Sequence, residues 1–157
     1  MKCLSLWQPW ASLVAWGNKR VETRSWATAY RGELAIHASK RWTRDLIETC
    51  HDSPFSERIL QHGSPASLPR GAVVAVVQLI AVRRTEEVEP RLDDEEVDFG
   101  DYTPGRFAWF LGDARPLVEP YPLRGHQGLF DLSPLDTSAI ERLVSPAPHP
   151  DGQGVGA

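Results

Sequence analysis

The order of apolar and polar positions divides the chain into short elements. Cys3 to Leu6 is a brief apolar run suited to a first strand. Pro9 stands where a helix begins without losing a hydrogen bond. Trp10, Leu13 and Val14 recur at helical spacing, and Gly17 is a natural terminator. Arg20 to Trp26 alternates, which puts Arg20, Glu22 and Arg24 on one face of a strand and Val21, Thr23 and Ser25 on the other. After a turn at residues 29–32, Leu34 and Ile36 point one way while Glu33, Ala35, His37 and Ser39 point the other, the pattern of a half-buried strand. Thr43 is placed to cap a helix carrying Leu46, Ile47 and Cys50, and Ser53-Pro54 to open another carrying Phe55, Ile59 and Leu60. A loop holding Pro65 and Pro69 runs from Gly63 to Gly71.

Ala72 to Val82 is nearly continuous and rich in valine, so it reads as the central strand, buried on both faces. The acidic stretch from Glu86 to Asp101 reads as a surface excursion. Arg106 to Leu111 is a further strand, Pro116, Pro120 and Pro122 enforce an extended connection, and Leu129 to Leu132 is a last short strand. About six strands with two or three helices and few βαβ units predict an α+β fold, a small β-barrel carrying helices on its outside. Residues 1–144 form the single domain in this reading. The Pro- and Gly-rich residues 145–157 form a disordered tail.

The totals narrow the classes. A chain of 157 residues fits one domain with one core. No apolar run approaches the roughly 20 residues that cross a bilayer, and the opening MKCLSLWQPW is too short and interrupted for a secretory signal. A cytoplasmic protein is expected. Cys3 and Cys50 read as buried free thiols. Neither the cysteines nor the five histidines have metal-ligand spacing, and the G-x-G-x-G of the tail follows no strand, so neither a metal nor a cofactor is expected.

The net charge of −4 conceals a division. Residues 1–84 carry 12 Lys/Arg against 6 Asp/Glu, while residues 85–157 carry 5 against 15. Nine of those acids lie between Glu86 and Asp101, with Arg91 the only base among them. A phosphate backbone responds to the local field rather than to the sum. The acidic stretch itself offers a docking segment for a basic protein partner, or is simply a solvated loop.

Candidate chemistry is concentrated near the N-terminus. Four of the six tryptophans, Trp7, Trp10, Trp16 and Trp26, fall in one window with Gln8, Lys19, Glu22 and Arg24. Aromatic faces stack bases at roughly 1–3 kcal/mol each, and lysine and arginine hold phosphate. Tryptophans also fill small cores; Trp10 and Trp16 are assigned to the core, and Trp7 and Trp26 to the site walls. Gln8 has the paired donor and acceptor that read a base edge. Glu22 and Arg24 belong either to a charge ladder on a solvated strand or to a cluster at a cavity mouth, which Lys19 joins only if the turn at Asn18 swings it round. Ser25, His37 and Ser39 complete the candidate site. Arg115, Arg124 and Gln127 either close the cleft or decorate a turn. Lys40, Arg41 and Arg44 stand at a helix start, where cations oppose the helix dipole unless they bind phosphate or are screened.

Leu4 to Trp26 resembles the opening of an ASCH domain (activating signal cointegrator-1 homology), whose G-x-K-x-x-E-x-R signature is matched by Gly17, Lys19, Glu22 and Arg24. The flanks QPWASL after Trp7 and Arg31-Gly32 through Ala38 are similar to the cointegrator-type branch, and the resemblance extends to about residue 133. It implies a PUA-like barrel with a cleft lined by the signature residues. The partner it implies is RNA, single-stranded DNA or a modified nucleotide. It also implies an alternative: a bacterial branch deacetylates acetylcytidine with the signature lysine, a threonine and a further glutamate. Lys19 matches the lysine, but Glu22 occupies the threonine position. An enzyme of that kind, or a ribonuclease, would use Lys19 and Glu22 as catalytic residues.

Overall fold

The computed structural model describes residues 1–146. Its centre is one six-stranded mixed sheet. The strands in chain order are β1 (Lys2–Leu6), β2 (Val21–Arg24), β3 (Gly32–Ala38), β4 (Ala72–Arg84), β5 (Phe107–Pro122) and β6 (Leu129–Asp131). Across the sheet they run β2-β5-β4-β3-β1-β6. Only β1 and β3 pair in parallel. The sheet curls but does not close, because β2 and β6 remain its two edges. The result is the half-barrel form of a PUA-like α+β fold.

Strand β4 is the valine-rich run, and its first six residues are all buried. Strand β5 is longer than the alternation at residues 106–111 implies. It continues through Pro116, Pro120 and Pro122, all within sixteen paired or extended residues. Proline is tolerated there because β2 covers only Phe107 to Phe110; beyond that β5 is largely an edge and needs no N–H on its outer side.

Six α-helices surround the sheet among the described residues: α1 (Trp10–Ala15), α2 (Arg44–His51), α3 (Phe55–Leu60), α4 (Thr85–Val88), α5 (Asp94–Asp98) and α6 (Pro134–Leu143). This exceeds the two or three expected. Helices α4 and α5 are four and five residues long, too short to display a helical period. Helix α6 follows a Ser133-Pro134 start in which the Ser133 hydroxyl accepts from the Asp136 N–H, the same kind of signal as Ser53-Pro54. Helix α1 ends as its sequence dictates: Gly17 has φ +79°, and the Asn18 and Lys19 N–H groups both return to the Leu13 carbonyl. Of the expected tail, Ser145 is described and donates to the Pro116 carbonyl; residues 147–157 lie outside the described residues.

The main core lies on the inner face of the sheet against α1, with Leu4, Leu34, Ile36, Val77, Leu79 and Trp109 among its members. Side chains of this kind contribute about 1.5–3 kcal/mol each on burial, which outweighs any of the surface ion pairs. Cys3 and Cys50 are buried free thiols in separate clusters, as expected. Among the described residues no helix is long and apolar enough to cross a membrane.

Candidate functional site

A cleft of about 1340 Å³ opens at one side of the half-barrel. The end of β1 brings Ser5, Leu6 and Trp7 to it, and α1 brings Trp10. Strand β2 supplies Glu22, Thr23 and Arg24, with Trp26 just beyond. His37, Ser39 and Lys40 come from β3 and the turn after it, and residues 98–101 and Arg106 close one side. The connection between β5 and β6 closes the other with Leu123, Arg124, His126 and Gln127.

Register explains the aim of Glu22. It lies directly opposite Trp109 in the β2–β5 pair, and Trp109 is fully buried in the inner core. Cross-strand neighbours share a face, so Glu22 faces inward with Trp109, while Val21 packs with Phe110 and Tyr102 on the other side. Glu22 is 8% exposed, and its Oε2 is buried with no hydrogen-bond partner among the described residues. Native interiors seldom leave such an atom unsatisfied, because an unmatched buried acceptor costs about 1–3 kcal/mol. Around it stand Trp7, Trp10 and Trp26, and Arg24 lies with its guanidinium 5.7 Å from the Trp26 ring centroid. Trp109 holds Trp26 through an indole N–H bond to its carbonyl.

Lys19 is placed differently. It is 2% exposed, it does not line the cleft, and its Nζ donates to the Val21 carbonyl at 2.6 Å and the Phe99 carbonyl at 3.1 Å. Burial lowers its pKa, and the nearby carboxylates of Glu22 and Glu96 pull the other way. The signature lysine thus ties β2 to the segment that walls the cleft.

Residues 4–121 match the profile of the ASCH domain. The chain belongs to the ASCH domain family. Two relatives, the activating signal cointegrator 1 proteins of Mus musculus and Homo sapiens, are 29% and 28% identical over 133 residues. Those residues are 83% of this chain but only 22% of either relative, so the chain spans about a fifth of their length. The crystal structure of an ASCH protein from Zymomonas mobilis superposes with a TM-score of 0.58 at 19% identity, covering 92% of this chain and 95% of that one. A point variant of the same protein gives 0.57. These structures share the fold.

Six of the nine candidate site residues meet in the cleft of this ASCH domain, Trp7, Glu22, Arg24, Trp26, His37 and Ser39; Arg124 and Gln127 also line it, whereas Arg115 pairs with Glu33 and Asp113 outside it. Gln8 does not. It is fully buried, its Nε2 donates to the Ser12 hydroxyl and the Pro69 carbonyl, and its Oε1 accepts from the Ser12 N–H, so no edge is left to read a base. Ser25 is exposed on the rim and lines nothing. Arg20, expected beside Glu22, instead pairs with Asp93 and Glu96. Trp10, assigned to the core, is half-buried and forms part of the wall, its indole N–H bonded to the Phe99 carbonyl. His37 is satisfied at both ring nitrogens. Nε2 lies 2.8 Å from the Leu123 carbonyl and so carries the proton, which leaves Nδ1 to accept from the Ser5 hydroxyl at 3.0 Å.

The acidic segment is mostly structure rather than a free excursion. Glu96 is 1% exposed and receives the Arg20 and Val21 N–H groups, Glu95 pairs with Arg58, and Asp101 pairs with Arg106. Its end, residues 98–101, is cleft wall. Acids committed to internal partners do not form a docking segment, and the reading of a basic protein partner has no support here. Sequence reasoning missed Arg106 and this wall, because their approach to β2 is long-range.

Proposed function

We propose that the cleft binds single-stranded nucleic acid, RNA or DNA, with one base, plain or modified, entering between the tryptophan walls. The observation that carries this reading is the orphaned Oε2 of Glu22 at the lining of an aromatic cleft. A base supplies what that atom lacks, an amino or imino N–H, and supplies a flat face for Trp7 or Trp26. Arg24, Lys40 and Arg124 stand among the lining residues with no carboxylate partner among the described residues, and so are free for phosphate. Family membership and the resemblance to the cointegrator branch support the same class of ligand.

The test is a titration of labelled single strands at several salt concentrations. Affinity is expected to fall as salt rises, with Arg24→Ala reducing the slope of log affinity against log salt by about 0.7. Glu22→Gln is expected to weaken binding about tenfold, or roughly 1.4 kcal/mol. Binding indifferent to salt and to both substitutions overturns the proposal.

A second reading, hydrolysis of acetylcytidine or RNA with Lys19 and Glu22 as the acid–base pair, has one observation in its favour: burial lowers the Lys19 pKa toward the range of a general base. Against it, the Lys19 Nζ is already committed to the Val21 and Phe99 carbonyls, and Lys19 itself does not line the cleft. Turnover abolished by Glu22→Gln is the result that supports it. Both substrates left intact after hours with the unaltered protein removes it.

A further inference from the structure

Two neighbouring loops continue the cleft onto the outer surface. The first runs through Ser39, Lys40, Arg41 and Trp42, and the second through Pro69, Arg70 and Gly71. They touch directly: the Gly71 N–H donates to the Ala38 carbonyl at 2.7 Å, and a Cβ on Gly71 would lie 2.7 Å from Lys40 Cε. Lys40 and Gly71 line the cleft, whereas Arg41, Trp42 and Arg70 lie beyond its lining.

Each loop is held by a polar bond. The Ser39 hydroxyl accepts from the Arg41 N–H at 3.2 Å, and the buried Gln8 amide donates to the Pro69 carbonyl at 2.7 Å. The arginines these loops present are stacked. The Arg41 guanidinium lies 4.7 Å from the Trp7 ring centroid, and that of Arg70 lies 4.6 Å from Trp42. A stacked guanidinium is held in place by its face and keeps its N–H edge available for phosphate. Among the described residues neither arginine has a carboxylate partner, although Arg44 and Arg58 close by in the sequence do. Trp7, at the junction, is 49% exposed.

We infer that a single strand of nucleic acid leaves the cleft over Trp7 and follows Arg41, Trp42 and Arg70, so that the ligand is a strand and not a lone nucleotide. The inference rests on the cleft reading above and adds a second, separable contact zone. Alternating aromatic and cationic groups suit a backbone whose phosphates and bases alternate. A cleft and track of this extent require at least about four nucleotides.

The experiment measures affinity for labelled oligothymidylates from a dinucleotide to a decanucleotide, with the intact chain and with the Arg41→Ala/Arg70→Ala double variant. Both substituted residues are exposed, and circular dichroism verifies folding. Affinity is expected to rise with length and then level off. The double variant is expected to lose about tenfold on long strands and about 1.4 in salt slope, with dinucleotide binding unchanged. Affinity independent of length, or a double variant that matches the parent on long strands, overturns the track. Arg24→Ala separates the two claims. Loss of dinucleotide binding in Arg24→Ala without any length effect keeps the cleft and removes the track. Long-strand binding sensitive to Arg41 and Arg70 but not to Arg24 or Glu22 keeps the track and removes the cleft. No binding at any length removes both.

Discussion

The Trp109 indole N–H donates to the Trp26 carbonyl at 3.2 Å, and the two rings meet edge to face with centroids 4.7 Å apart. A fully buried core residue thereby fixes a wall of the cleft. Trp109→Phe keeps most of the apolar volume and removes the donor. Denaturant unfolding is expected to show a loss of about 1–3 kcal/mol, with accompanying weakening of ligand binding. Unchanged stability and unchanged binding contradict this account of Trp26.

Glu96 anchors the start of β2 by accepting the Arg20 and Val21 N–H groups from a position 1% exposed. Glu96→Gln puts an amide NH₂ against backbone donors. Urea unfolding is expected to register a loss of about 2–4 kcal/mol, far beyond an exposed change such as Arg44→Ala at no more than about 1 kcal/mol.

Burial lowers the Lys19 pKa from its ordinary 10.5. Between the folded value and 10.5 the unfolded chain therefore holds more protons than the folded one, and the Lys19 contribution to stability grows as pH rises through that window. Stability measured from neutral to alkaline pH is expected to show the parent gaining on Lys19→Met as pH increases. A difference that stays constant, or narrows, contradicts the sign.

Gly125 packs over the His37–Ser5 pair. A Cβ there would meet His37 Cε1 at 2.5 Å and both His37 Nδ1 and Ser5 Oγ at 2.7 Å. Gly125→Ala is expected to cost about 1–3 kcal/mol in thermal or denaturant unfolding, because the pair must part or the loop must lift. An unaltered Tm shows that the loop yields freely.

The fold was largely legible because its strands obey simple patterns. The Cys3–Leu6 run, the valine-rich β4 and the Pro9–Gly17 helix are local signals, and each leads to the observed element. The acidic segment misled for a physical reason. Its charges suggest solvent, but Glu95 and Glu96 find basic or N–H partners far away in sequence, and Asp101 pairs with the nearby Arg106. The site was legible where strand alternation rules, as for Glu22 and Arg24. It was not legible where a polar side chain is spent on neighbouring backbone, as for Gln8 and Lys19, since residue type cannot reveal whether an amide or ammonium is already bonded. The Arg41–Trp7 contact depends on two loops meeting, which no local pattern reports.

The six tryptophans supply the most direct measurement of the central claim. Their indole N–H resonances, assigned by single substitutions, are followed in a heteronuclear correlation spectrum as a single-stranded oligonucleotide is added. Trp7, Trp10 and Trp26 line the cleft, while Trp16 lies outside that lining, stacked on His62 at 3.9 Å. The expected result is saturable shifts at Trp7, Trp10 and Trp26 with Trp16 unmoved. No shift at high strand concentration, or shifts confined to Trp16, contradicts binding in the Glu22 cleft.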